Sequence, residues 1–186
     1  MGLALPAVLM MFALKVENPF NKLSRIHKLY VDSFKAGGQG PMRRALERAS
    51  AHYMRAMFVR FNLYSMGGGD WEPLAESTIK RKKHDAILSE TDTLRNALNP
   101  MRLRNSGLLT VGHKGFKIGL PSGLNHPGSR LDVASLADVH HYGKANSRNK
   151  RLPARRILVQ PGMFVKYQMN KEIYRGLKEL VDQAKR

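Results

Sequence analysis

Between two glycine-rich breaks, AGGQGP at 36–41 and MGGGD at 66–70, the residues Leu46, Ala49, Tyr53, Met57, Phe61 and Tyr64 recur at steps of three or four. That spacing places them on one face of a helix. A stripe of this length predicts the chain's longest helix over Met42–Tyr64 and requires a second apolar surface to cover it. Arg43, Arg44, Arg48, Arg55 and Arg60 fill the other positions. They read as a solvated basic back, because long cationic side chains commonly cover exposed helix faces.

The rest of the chain supplies the cover. An apolar arm at Met1–Met10, broken by Pro6, precedes a strand in which Phe12, Leu14 and Val16 alternate with Ala13 and Lys15. The apolar run is short of the roughly 20 residues a spanning helix needs and lacks a basic leader region, so neither a membrane span nor a signal peptide is expected. Asn18 and Pro19 open a helix carrying Phe20, Leu23, Ile26 or His27, and Tyr30. The glycines of MGGGD read as a flexible joint; with no Gly-Lys-Ser/Thr after them, they are not a phosphate cradle. A short helix capped by Ser89 or Thr91 carries Leu94 and Leu98 and stops before Pro100. The period then changes to two: Leu109 and Val111, a His113-Lys114-Gly115 turn, then Phe116, Ile118 and Leu120, which together predict a β-hairpin. Residues 121–130 have loop composition. A final helix places Ile173, Leu177, Leu180 and Ala184 on one face. The order predicts a single α+β domain over 11–186: a small, mainly antiparallel sheet packed against helices, with one long helix and a C-terminal helix.

The stretch from Ala134 to Leu158 combines several signals. Leu136, Val139 and Tyr142 fall at steps of three before Gly143, which predicts a helix sharing those residues on one face and a left-handed glycine stop. A basic loop at 144–152 follows, and Pro153 leads what reads as a hydrophobic strand. Between Arg148 and Arg156 five of nine residues are basic (Arg148, Lys150, Arg151, Arg155, Arg156), a density that favours a contact surface over a core element. Lys80, Arg81, Lys82 and Lys83 form a second basic cluster. It reads equally as a helix terminus complementing the dipole or as a contact with DNA or an acidic partner.

Thirty-two Lys and Arg against fourteen Asp and Glu leave a net charge of +18, which attracts nucleic acid, acidic protein or anionic lipid. The membrane-surface option is disfavoured because the apolar arm carries no basic face. The chain has no cysteine, which removes disulfides and thiol chemistry and fits assembly in a reducing cytoplasm. The seven histidines do not build a site. His140 and His141 are adjacent and so diverge by about 100° on a helix, where paired metal ligands need i,i+4 spacing. His113 and His126 lie in turn and loop. Asp138 and His141 read as a helix-surface hydrogen bond, with no nucleophile beside them. No GxSxG is present, and Asp132 and Asp138 lack the strand-borne Glu-x-Lys of a metal-dependent nuclease. The residues predict no enzyme, no cofactor and no metal.

Four segments, WEPLAESTIKRKK, TDTLRNAL, LADVHHYG and LPARRIL, resemble in order and spacing the motifs of the bacteriophage virion-morphogenesis and tail-completion (neck) protein family. Trp71, Pro73, Leu74, Thr78 and Lys82 match the first motif. Thr91, Leu94 and Leu98 match the second. Ala137, His140 and Gly143, beside Tyr142, match the third, and Pro153, Ala154, Arg155 and Leu158 the fourth. The match covers Trp71 to Leu158. It departs at Asp92, where glycine is usual, at Leu136, where tyrosine is frequent, and at Arg156-Ile157, where Pro-Phe is common. The resemblance implies a virion structural protein at the head-to-tail junction. Such a protein is assembled in the host cytoplasm as a homo-oligomeric ring, with six copies the expected number. The implied neighbours are the head connector or portal side and the tail tube or terminator, and DNA passes non-specifically through the channel. The competing expectation from charge alone is a free, sequence-independent DNA-binding protein.

Overall fold

A computed structural model of the chain describes residues 19–35, 39–88, 92–100, 109–120, 132–145 and 151–186, together with 123, 125 and 127. The N-terminal arm, the strand through Phe12, Leu14 and Val16, the Ser89 and Thr91 caps, most of the 121–130 loop, and Arg148 and Lys150 lie outside them. The described residues form an α+β fold of six helices and two antiparallel strand pairs. In chain order these are α1 (Pro19–Asp32), α2 (Pro41–Ser65), α3 (Glu76–Lys82), α4 (Thr93–Ala97), β1 (Leu109–Gly112), β2 (Gly115–Ile118), α5 (Val133–Tyr142), β3 (Lys144–Ala145), β4 (Arg151–Leu152) and α6 (Met163–Lys185).

Helix α2 begins with Pro41 at its first position, where a missing N–H removes nothing from the hydrogen-bond ladder. Leu46, Ala49, Met57 and Phe61 of the stripe are buried, joined by Met42, Ala45, Ser50 and Met54. Each large apolar side chain so covered contributes roughly 1.5–3 kcal/mol. The cover along the first half of α2 is α6, and α1 packs against α6 in turn. The buried line of α6 is Gly176, Leu180 and Ala184, a strict i+4 row. Leu177 is not on it and stays exposed, which corrects the face read from sequence. Gly176 belongs there because a β-carbon at that position would collide with the Ala45 side chain, and would lie 3.1 Å from the Pro41 carbonyl oxygen.

The basic back of α2 is only partly solvated. Arg55 is exposed, but Arg48 Nε donates to Glu172 Oε2 at 2.6 Å, and Arg44 Nη2 donates to Glu179 Oε2 at 3.3 Å. Two arginines one turn apart thus meet two glutamates two turns apart on α6. MGGGD is also not a joint: Gly67 and Gly68 donate to the carbonyls of Tyr64 and Leu63 at 3.1 and 2.9 Å, folding the chain back over the end of α2.

The hairpin forms as expected, with Leu109 opposite Ile118, Val111 opposite Phe116 and Gly112 opposite Gly115. Its turn is the two residues His113-Lys114, so Gly115 belongs to β2 and Leu120 falls beyond the strand. The hairpin packs on α2. Helix α4 is capped in position by Asp92, held at φ 50° with no side-chain capping bond. Leu94 and Leu98 are both buried, as their i,i+4 spacing predicts.

Helix α5 departs from its expected face. Asp132 caps it, accepting from Ser135 N at 2.8 Å, and the buried positions are Val133 and Ala137. Leu136 and Val139 are half-buried and Tyr142 is 76% exposed, so the three do not share a core face. Steps of three drift backward around a 3.6-residue helix, and by Tyr142 the drift has carried the row into solvent.

Candidate assembly site

The motif-bearing segments, separated by tens of residues in the chain, converge on one cluster beneath the C-terminal half of α2. Phe61, Trp71, Ile87, Leu94, Ala97, Leu98, Val133, Ala137 and Ile157 form its buried centre, with Leu74 and Leu158 packed against it. Trp71 anchors it. Its indole stands edge-to-face with Phe61 (centroids 5.6 Å apart) and Tyr64 (5.5 Å), and the Arg60 guanidinium caps the Tyr64 ring at 4.1 Å. These geometries suit the ring quadrupoles and desolvate the cation only in part.

The segment 153–160 is not a strand. It is an extended strap whose backbone polar groups are met one at a time by neighbouring helices. Arg155 N donates to His140 O at 2.6 Å, and Ile157 N donates to His141 Nδ1 at 3.2 Å. Arg60 Nη1 donates to Arg156 O at 2.5 Å, and Tyr53 Oη donates to Val159 O at 3.1 Å. His141 therefore uses Nδ1 on the strap, so its first role is not the expected contact with Asp138. An imidazole that accepts at Nδ1 is the neutral tautomer with its proton on Nε2. Burial pushes the Tyr53 phenol above its ordinary value.

Arg155 is the largest departure from the sequence reading. It was grouped with a basic contact surface, yet only 4% of it is exposed. Its Nη2 donates to Glu72 O at 3.0 Å, tying the strap to the Trp71 segment, and Nε is buried with no acceptor. Burial lowers the guanidinium pKa below its ordinary value, and the charge of Glu72 partly opposes this. Arg155 is thus a structural tie between two motifs. Arg156, next to it, is exposed.

Gly143 lies between α5 and the strap with φ 73° and ψ 160°, positive φ as expected but extended in ψ, a region essentially restricted to glycine. A β-carbon there would sit 2.7 Å from Leu152 O and 3.0 Å from Ala154 N. The expected basic loop is shorter than 144–152 because its ends pair: Lys144 with Leu152 and Ala145 with Arg151. Arg151 therefore sits in a two-residue ladder.

The remaining candidates divide. Thr78 and Leu74 are half-buried, Pro153 half-buried, and Pro73 and Ala154 exposed. Lys80, Arg81 and Lys83 are exposed at the end of α3, while Lys82 is half-buried and its Nζ donates to Ala86 O at 3.3 Å. Lys83 closes α3 at φ 61°, its N–H donating to Ile79 O at 2.8 Å. The four lysines and arginines thus include a helix cap as well as a solvent-facing cluster.

Sequence reasoning missed the charged seam between α2 and α6. Glu172 receives Arg48, with Arg175 Nη1 at 3.5 Å and His52 Nε2 at 3.9 Å. Burial would raise its pKa, but the Arg48 hydrogen bond and the charges of Arg175, Arg48 and His52 outweigh that and hold it below the ordinary carboxylate value. A cavity of about 320 Å³ opens beside this seam, between α2 and the hairpin. The signal was available: Glu172 and Glu179 are seven apart, as are positions on one helix face, opposite Arg44 and Arg48. Among the described residues no group of three His, Asp or Glu could hold a metal ion, and no helix is long and apolar enough to cross a membrane. Comparison with protein-family models, curated proteins and solved structures returned no match.

Proposed function

We propose that the chain is a structural virion protein of the phage head-to-tail junction, a neck or tail-completion component acting as a ring of identical subunits, with six as the expected number. The observation that supports this reading is the convergence of the motif segments. Trp71, Leu94, Leu98 and Ala137 share one buried cluster with Leu158 packed against it, and Arg155 ties the Trp71 segment to the end of α5. In this reading the matched residues build the scaffold, and contacts with the connector or portal side and the tail tube or terminator fall to exposed groups.

A channel for DNA constrains where the charge sits. Six copies at +18 each would trap phosphate if their cations lined the passage, so most basic residues face outward. Charge reversal at Arg148, Lys150 and Arg151 should then block head–tail joining while the fold persists. Locating the chain in intact virions by electron microscopy tests the reading directly: density at the neck with cyclic symmetry supports it, and absence from the particle refutes it. The competing function, a free DNA-binding protein with phosphate contacts at Lys80–Lys83 and Arg148–Arg151, predicts duplex binding that weakens steeply with salt in a gel shift.

A further inference from the structure

The outward face of α6 exposes several large apolar and aromatic side chains. Met163, Tyr167, Tyr174 and Leu177 are all exposed, Tyr167 by 62% and Tyr174 by 72%. They follow i, i+4, i+11 and i+14, which on a 3.6-residue helix confines them to a stripe about 80° wide and about 21 Å long. Lys166 borders the stripe on one side and Lys171 and Lys178 on the other, all exposed. The acids within this length, Glu172 and Glu179, are turned toward α2 and taken by Arg48 and Arg44. The result is a ridge of apolar and aromatic residues, interrupted at its middle by exposed Asn170, with cationic margins and no carboxylate of its own between Met163 and Leu177.

We propose that this ridge is a docking surface for an amphipathic helix of another protein, with apolar residues at i, i+3, i+4 and i+7 and acidic margins. Charge complementarity selects that occupant. A second copy of α6 would bring lysines against lysines, on a chain already at +18. Duplex DNA would satisfy the lysines but leave Met163 and Leu177 without an apolar partner. A helix in contact along this length would use the ridge as helix-binding grooves use their anchors, with the lysines setting partner choice. The proposal does not depend on the virion reading.

The test is fluorescence anisotropy of the full chain with a labelled 21-residue helical peptide carrying leucines at the anchor positions and glutamates beside them. Tyr167→Ser with Tyr174→Ser should weaken binding at least tenfold, and Lys171→Glu with Lys178→Glu should do the same. A peptide with lysine margins should recover binding to the charge-reversed variant. Unchanged circular dichroism melts would show that these exposed substitutions leave the fold intact. Equal binding of a peptide with serine in place of leucine would overturn the proposal, reducing it to unspecific attraction. So would tyrosine variants that lose duplex DNA binding or self-association instead. Peptide binding that appears only after residues 1–14 are removed would assign the ridge to the chain's own N-terminal segment, and the proposal would fall.

Discussion

The crossing of α2 and α6 rests on Gly176, and replacing it with alanine separates two opposed effects. Alanine in a helix interior is favoured over glycine by about 1 kcal/mol. Against this, the new β-carbon would overlap the Ala45 side chain, lie 3.1 Å from the Pro41 carbonyl oxygen and 3.4 Å from Met42 Sδ. The methionine can turn aside. The carbonyl belongs to the first turn of α2 and yields only if the helices part. Overpacking of this kind costs about 1–3 kcal/mol. The expected net loss for Gly176→Ala is therefore about 0–2 kcal/mol, at its upper end equivalent to a fall of about 4–8 °C in Tm for a chain of this size. Ala45→Gly alone should destabilise by about 1 kcal/mol through helix propensity. Combined with Gly176→Ala it removes the overlap, so the double variant should be more stable than the sum of the singles by about 1 kcal/mol. Urea unfolding followed by circular dichroism at 222 nm measures all four corners of the cycle. Stabilisation by Gly176→Ala alone, or strict additivity, would falsify the close approach of the helices.

Other substitutions probe the ties around the strap. Gly143→Ala should cost about 2–3 kcal/mol in urea unfolding, because its φ and ψ exclude a side chain even before the contacts with Leu152 and Ala154 are counted. Arg155→Ala should destabilise by about 2–4 kcal/mol, leaving the Glu72 carbonyl unpaired and a cavity behind; a change within about 0.5 kcal/mol would mean that Arg155 is a surface residue after all. The depressed pKa of Glu172 gives a signed pH dependence. Its ionised form is favoured in the folded state, so its contribution is present above the ordinary value of 4.5 and is lost as pH falls through the lower folded value. Glu172→Gln should therefore lower the melting temperature at neutral pH and flatten the acid limb of a Tm-against-pH curve; an unchanged limb would contradict the seam.

What was legible from sequence follows a physical rule. The stripe of α2, the i,i+4 pair of α4 and the alternation of the hairpin are local periodicities, and periodicity fixes which atoms face one another within an element. Residues with more than one adequate local role were not legible. Arg155 and Arg156 are adjacent and chemically identical, yet one is buried against Glu72 O and the other exposed. Charge and periodicity in the run LPARRIL do not distinguish them, although Arg155 matches the resembled motif and Arg156 departs from it; the path of the strap between α5 and α2 decides which is buried. Tyr142 and Leu177 share rows with apolar residues spaced by three or four, but packing in the fold buries Val133 and Ala137 on α5 and Gly176, Leu180 and Ala184 on α6 instead.

The sequence by itself determined the long helix, the hairpin, the C-terminal helix, the excess of positive charge and the glycine at the end of α5. Tertiary structure alone decided which cations became structural. Arg44 and Arg48 were drawn to glutamates more than a hundred residues away, and Arg155 was enclosed by a segment that passes over it. Turning Glu172 and Glu179 inward to meet those arginines left the outer face of α6 between Met163 and Leu177 with lysines and tyrosines and no acid. The character of that surface follows from how the core pairs its charges, because a carboxylate engaged on one side of a helix is unavailable to the other.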